Sequence, residues 1–282
     1  MKEDGGVGGF FMLEAIKKIV VDAGELIRCV QATPEDIMSK EGRVNYVTRY
    51  DVMVQEYLFL RLQQLIPEAT MIGEETAEER NAGDGYAFIV DPIDGTNNFI
   101  AGFHYSCISV GLALDGKVIM GVVYNPFNQE MFWAERGQGA WKKAAYSDVV
   151  TRMQVIDRSI RDGLVCVATA PYYPELTEKS LLLARKILEK GTDIRRLASA
   201  ALELCHVADR RSVLFFELLL APWDHAAAGL ILEEAGGIVT TMEGSTTDLN
   251  VKHSLLAGTP TAYAEFVQML QEAKKEYPQL AW

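Results

Sequence analysis

Apolar residues recur at helical spacing between Phe11 and Val30, where Ile16, Ile19, Val20, Ala23 and Ile27 share one face, and this predicts a first helix. A second helix is expected from Asp51, read as its N-cap, to about Ile66, with Pro67 ending it. The period then changes. Ala69 to Ile72 and Tyr86 to Val90 are short and apolar and read as strands. Tyr105 to Leu114 and Lys117 to Tyr124 flank Asp115-Gly116, a hairpin signal, and Glu130 to Glu135 adds a strand before the turn Arg136-Gly137-Gln138-Gly139.

Beyond this point the pattern alternates. Strands are expected at Leu164 to Ala168, Val213 to Leu218, Ile238 to Thr241 and Ser254 to Ala257. Helices are expected at Leu176 to Lys190, Ser199 to Ala208, Asp224 to Ala235 and Ala262 to Lys275. Hairpins followed by alternating strands and helices suggest an α+β half leading into an α/β half. The boundary is drawn where hydrophobic periodicity is weakest, between Ala144 and Arg152. The division is a flexible leader at 1–9, an N-terminal domain at 10–148 and a C-terminal domain at 149–282.

Composition narrows the classes of function. The chain of 282 residues, 49% of them apolar, is long enough to bury a proper core. No apolar run reaches the roughly 18 residues needed to cross a bilayer, and the N-terminus lacks the order of a secretory signal, so a cytoplasmic protein is expected. A formal charge of −12 argues against nucleic acid as a partner. The four cysteines, Cys29, Cys107, Cys166 and Cys205, are widely spaced and read as small buried hydrophobes in a reducing compartment.

Three acidic motifs carry candidate chemistry. Asp91-Pro92-Ile93-Asp94-Gly95-Thr96 follows the strand Tyr86 to Val90, where carboxyl ends of strands commonly build sites. Pro92 opposes helix there, Gly95 permits close backbone approach, and a helix starting at Thr96 would present free N–H groups. Taken alone, the motif is equally an Asp-rich turn with a helix cap. Gly73-Glu74-Glu75-Thr76, followed by Glu78 and Glu79, reads by itself as a solvated acidic loop. In Pro222-Trp223-Asp224-His225, Asp224 is placed as an N-cap, with Gly236 as the helix stop. Together, three carboxylate clusters without a histidine or cysteine cluster specify an oxygen-only site for a hard cation, Mg²⁺ rather than Zn²⁺. His104, His206, His225 and His253 show no metal-ligand spacing.

Asp91 to Phe99 (DPIDGTNNF), Gly73 to Glu75 (GEE) and Trp223 to Gly237 (WDHAAAGLILEEAGG) resemble the inositol monophosphatase family, within the lithium-sensitive, metal-dependent sugar phosphatase superfamily. Asn45 to Asp51 (NYVTRYD) and Asn125 to Trp133 (NPFNQEMFW) extend the likeness over nearly the whole chain. The resemblance implies the layered αβαβα sandwich of the sugar phosphatase type, a mixed α+β and α/β fold, and a homodimer. It implies two to three Mg²⁺ ions held by Glu74, Asp91, the Ile93 carbonyl, Asp94 and Asp224. It makes Asp51, Glu74 and Thr96 the residues that orient and deprotonate the attacking water, and gives Gly95 and Thr96 to the phosphate. Asp94, Ala200, Glu217 and Lys40 complete the implied substrate contacts. Without the family, Glu217 reads as an ordinary glutamate at a strand end. The chain departs from the family pattern at Ala198 and Arg210, where glycine is usual, at Val213, where aspartate is, and at His104, where proline is.

The implied activity is Mg²⁺-dependent hydrolysis of a small sugar or cyclitol phosphate, inositol monophosphate foremost. A dianionic phosphate and four ligand carboxylates make six negative charges, which three Mg²⁺ would balance, so the acidic composition does not repel the substrate. Fructose 1,6-bisphosphate and 3'-phosphoadenosine 5'-phosphate are alternative substrates within the same chemistry. Arg195, Arg196, Arg210 and Arg211 are candidates for holding a second phosphate, although a surface role is expected for most of them. A binding module that keeps the fold without catalysis is the reading from a different class.

Overall fold

The structure, a computed structural model, describes residues 5–40, 45–76, 81–280 and 282; residues 1–4 of the expected leader, and Glu78 and Glu79, lie outside these. Helix α1 spans Gly5–Glu25, so it starts inside the stretch read as a leader and stops short of Val30. The buried stripe Leu13, Ile16, Val20 and Ala23 anchors it, and once a helix is nucleated each added residue gains one backbone bond, even through glycine. A small ribbon of β1 (Ile37–Ser39) and β2 (Tyr46–Thr48) leads into α2 (Arg49–Leu65). The N-cap of α2 is Thr48 and not Asp51. The Thr48 hydroxyl accepts from the Tyr50 N–H, while Asp51, at the third helical position, accepts from the Thr48 N–H at 2.7 Å.

Seven strands follow one another in a single large sheet: β3 (Thr70–Gly73), β4 (Tyr86–Asp94), β5 (Cys107–Leu114), β6 (Lys117–Asn125), β7 (Glu130–Glu135), β8 (Gly139–Lys143) and β9 (Val150–Met153). Only β3 and β4 pair in parallel; the other neighbours are antiparallel. Asp115 and Gly116 both take positive φ, 49° and 74°, as a tight primed hairpin turn requires. The short helix α3 (Thr96–Ala101) lies between β4 and β5. Strands β8 and β9, not anticipated from the sequence, carry the sheet through Met153, past residue 148.

The second sheet contains β10 (Leu164–Val167), β11 (Asp193–Arg195), β12 (Leu214–Leu220), β13 (Ile238–Thr240) and β14 (His253–Gly258), in the order β11-β10-β12-β14-β13. Helices α4 (Thr177–Lys190), α5 (Ala200–Ala208), α6 (Pro222–Glu234) and α7 (Pro260–Glu276) complete the chain. Three buried clusters show the layering. One joins α1 and α2 to the outer face of the large sheet through Ile16, Leu58, Phe88 and Val122. A second places α5 and α6 between the sheets, with Ala227 and Leu204 meeting Phe132 and Phe215. The third sets α4 and α7 against the far face of the small sheet, through Leu183, Phe266 and Phe216. The result is an αβαβα sandwich.

Helix α6 lies close against the large sheet because the residues at the contact are small. A Cβ on Gly121 would stand 2.5 Å from the Ala227 carbonyl oxygen, and one on Gly111 would stand 3.3 Å from Ala226 Cβ. This close approach brings the start of α6 beside the carboxyl end of β4. Three cysteines are buried as expected, whereas Cys29 is exposed. Among the described residues no helix is long and apolar enough to cross a membrane.

Candidate active site

Parallel pairing of β3 and β4 matches Gly73 with Val90, so Glu74 and Asp91 emerge side by side at the carboxyl ends of adjacent strands. The Glu74 N–H donates to the Val90 carbonyl at 3.3 Å. Gly73 leaves room for Gln55, whose Oε1 would lie 2.3 Å from a Cβ there and accepts from the Glu75 N–H at 2.9 Å. Strand β4 continues through the acidic motif with an irregularity between Asp91 and Asp94, which turns both carboxylates to one side. The Ile93 N–H closes this turn on Asp91 Oδ1 at 3.0 Å.

Asp224 arrives from α6. It is the third residue of the helix and not its N-cap: the cap is Ala221, whose N–H donates to Asp224 Oδ2 at 2.7 Å. One carboxylate oxygen can be spent this way while the other faces the site. Asp91, Asp94 and Asp224 each offer an oxygen, and the three oxygens lie within 4.8 Å of one another. Burial pushes the Asp91 carboxyl well up, and Glu74, Asp94 and Asp224 add to the effect. Asp224 is likewise pushed well up by burial, then by Glu74 and Asp94. Burial raises Asp94 too, against the opposing hydrogen bonds of Ser199 and Ala201. Three acids that resist ionising together form a site that needs positive charge, and their donor atoms are all oxygen. The residues therefore fit a hard divalent cation.

Glu74 lines the same cavity, but its Oε1 accepts from Lys40 Nζ at 2.9 Å. Lys40 also donates to Glu75 Oε1 at 2.6 Å. Burial opposes its charge, yet Glu74 and Glu75 outweigh burial and keep it protonated. Lys40 is thus turned to the glutamates and is not part of the cavity wall. Thr96 Oγ1 lies 3.1 Å from Asp51 Oδ1 and 3.1 Å from the Ile93 carbonyl. Burial pushes Asp51 up to about 6 against the hydrogen bonds it accepts from Thr48. Gly95, at φ 92°, caps α3, whose first N–H groups have no partner within the helix.

Glu74, Asp91, Asp94, Thr96 and Asp224 line one cleft that opens to solvent. Glu217, Ala200, Trp223 and the exposed Arg196 also line it. Glu217 is 8% exposed and accepts from the Ala170 N–H at 3.2 Å; burial and then Glu203 push it up to about 8. The Ala200 N–H is already given to Asp94 Oδ1 at 3.2 Å. Arg195, by contrast, is engaged with Asp193, Arg210 with the Gln154 carbonyl and Arg211 with Glu130. The sequence pattern assigns no site role to Asn98, Ser199 or Glu203, although Asn97-Asn98 resembles the monophosphatase pattern. Asn98 lies inside the DPIDGTNNF motif and was open to notice. For Glu203 the sequence shows an acid within the largely apolar run Ala200–Ala208, which does not say what its carboxylate meets; in the structure it is fully buried.

Two sheets of seven and five strands thus frame an all-oxygen acidic site, beside a helix start, that fits a divalent cation. The model of the inositol monophosphatase family matches residues 11–275. Inositol monophosphatase 3 of Solanum lycopersicum is 36% identical over 265 residues, covering 89% of this chain and 93% of its own. Inositol-1-monophosphatase of Caulobacter vibrioides is 30% identical, covering 93% of this chain and all of its own. The crystal structure of extragenic suppressor protein suhB from Bartonella henselae superposes with a TM-score of 0.81 at 31% identity, over 92% of this chain and 98% of that one. The chain belongs to the inositol monophosphatase family and is a phosphoric monoester hydrolase.

Proposed function

We propose that the enzyme hydrolyses a small sugar or cyclitol monophosphate, inositol monophosphate foremost, with two to three Mg²⁺ ions held by Glu74, Asp91, the Ile93 carbonyl, Asp94 and Asp224. The observation that carries this reading is the convergence of Asp91, Asp94 and Asp224 oxygens within 4.8 Å. Bound there, magnesium supplies positive charge to the phosphate oxygens and acidifies the attacking water. The chain supplies the rest. Thr96 Oγ1 has one proton to give, to Asp51 Oδ1 or the Ile93 carbonyl, and keeps lone pairs that can accept from the water. Asp51 Oδ1, pushed up to about 6, is suited to take up a proton passed through Thr96 near neutral pH. The N–H groups of Gly95 and Thr96 receive phosphate oxygens.

On the other side of the cleft Glu217 receives the polyol. A carboxyl raised to about 8 both accepts from and donates to neighbouring hydroxyls. Ala200 borders the ring, and Lys40 acts through Glu74 and Glu75. In this reading the enzyme is a cytoplasmic homodimer. One observation favours a second substrate class: Arg196 and Lys252 both line the cleft and suit a second phosphate, as in fructose 1,6-bisphosphate.

Phosphate release measured with Mg²⁺ over inositol monophosphates, fructose 1,6-bisphosphate, histidinol phosphate and 3'-phosphoadenosine 5'-phosphate separates these readings. The fastest turnover is expected on an inositol monophosphate, abolished by chelation. Fastest release from the bisphosphate would transfer the assignment to the second class, and release from none would leave a binding module.

A further inference from the structure

The segment Leu197-Ala198-Ser199 connects β11 to α5 and is gripped from both sides. Ala198 sits at φ 61°, in the left-handed region that glycine enters freely and alanine does not. From α3, Asn98 Nδ2 donates to the Leu197 carbonyl at 2.7 Å and the Tyr105 carbonyl at 2.8 Å, with the Ala198 carbonyl at 3.3 Å. Three carbonyl oxygens around one end of the amide leave only its NH₂ able to face them. From α5, the fully buried Glu203 accepts from the Leu197 N–H at 3.2 Å and from the Ser199 N–H at 3.4 Å.

Immediately after the bend come three donors to one carboxylate. Ser199 Oγ and the Ala201 N–H reach Asp94 Oδ2 at 2.6 Å and 2.8 Å, and the Ala200 N–H reaches Oδ1 at 3.2 Å. Asp94 belongs to the large sheet, whereas all three donors come from the start of α5. Cys107 Sγ on β5 adds a longer contact to Oδ2 at 3.6 Å, but the three short donors reach the carboxylate only as the bend at Ala198 is held.

We propose that Asn98 and Glu203 are positioning residues for the cation site, clamping the strained Ala198 bend so that Ser199, Ala200 and Ala201 fix the Asp94 carboxylate against Asp91 and Asp224. The inference rests on the metal-dependent reading above. Glycine at position 198 would hold the left-handed bend without strain. With alanine the clamp becomes necessary, so the two features are coupled: removing Asn98 does more harm beside Ala198 than beside glycine.

The test is a calorimetric titration of Mg²⁺ into the chelator-stripped full chain without substrate, with circular dichroism and thermal unfolding as controls on folding. Asn98→Ala is expected to raise the half-saturating Mg²⁺ concentration roughly tenfold at an unchanged fold, the range for partners that orient a metal ligand. Glu203→Gln is expected to shift it in the same direction. Adding Ala198→Gly to Asn98→Ala is expected to bring the value back to within about threefold of the parent. Should Asn98→Ala not fold, Glu203→Gln with and without Ala198→Gly makes the same comparison. Parent-like affinity in both single variants overturns the clamp, and a double variant as weak as Asn98→Ala overturns its coupling to Ala198. A parent chain that binds no Mg²⁺ overturns the metal reading itself.

Discussion

Asp94 illustrates how one residue serves two demands. Its oxygens accept from Ser199, Ala200 and Ala201, yet it remains within 4.8 Å of Asp91 and Asp224 oxygens. Asn at this position keeps the size but removes a negative charge where a cation is to be held. Asp94→Asn is expected to lower turnover at least ~10²-fold, because such charge acts mainly in the transition state. Steady-state kinetics beside an unchanged circular dichroism spectrum checks this; near-parent turnover would remove Asp94 from the mechanism. The departures from the family pattern stand out in the sequence, and the backbone shows what two of them cost. A left-handed φ favours the usual glycine at 198 and 210, whereas at 104 it is closed to proline. Ala198, Arg210 and His104, all departures from the family pattern, take positive φ at 61°, 69° and 56°. Glu203 was not readable, because nothing in an apolar helical run says which backbone N–H groups a buried carboxylate will meet.

At the scale of elements, hydrophobic period located most helices and strands but not their ends. The pattern predicts Asp51 and Asp224 as N-caps, whereas both occupy the third helical position, with Thr48 and Ala221 as caps. A short carboxylate can reach back to the N-cap N–H from that position, so an aspartate near a helix start marks the region more reliably than the residue. Strands β8, β9 and β11 escaped notice, being three to five residues long with few apolar positions to show a period. What delivers Asp224 to the site is the seating of α6 on β5 and β6 over Gly111 and Gly121. Gly121→Ala would force its Cβ to within 2.5 Å of a helix carbonyl. This overpacking is expected to cost about 1–3 kcal/mol of stability, measured by denaturant unfolding. An unchanged midpoint would show that the helix can shift without penalty.

For the molecule as a whole, a formal charge of −12 coexists with an enclosed acidic site, and the linkage between them sets the pH response. Folded-state pKa values raised above their unfolded values stabilise the protein at low pH and lose that contribution as pH rises through the folded value. Glu203 and Glu217 are raised mainly by burial from 4.5 to about 8, and Asp91 and Asp224 are raised in the same direction. Buried His206 and His225, lowered by burial from 6.5 to about 3, oppose this trend only below about pH 6.5. Between pH 7.0 and 8.5 the acids therefore dominate. Each pKa unit corresponds to about 1.4 kcal/mol.

Thermal unfolding of the chelator-treated protein at pH 7.0 and 8.5, with and without Mg²⁺, tests the caging of divalent ions most directly. Without metal, Tm is expected to be roughly 3–6 °C lower at pH 8.5 than at pH 7.0. Mg²⁺ is expected to raise Tm at both values and more at pH 8.5, where it does not compete with protons for the carboxylates. A metal-free Tm that does not fall with pH, together with no shift on adding Mg²⁺, would contradict the account.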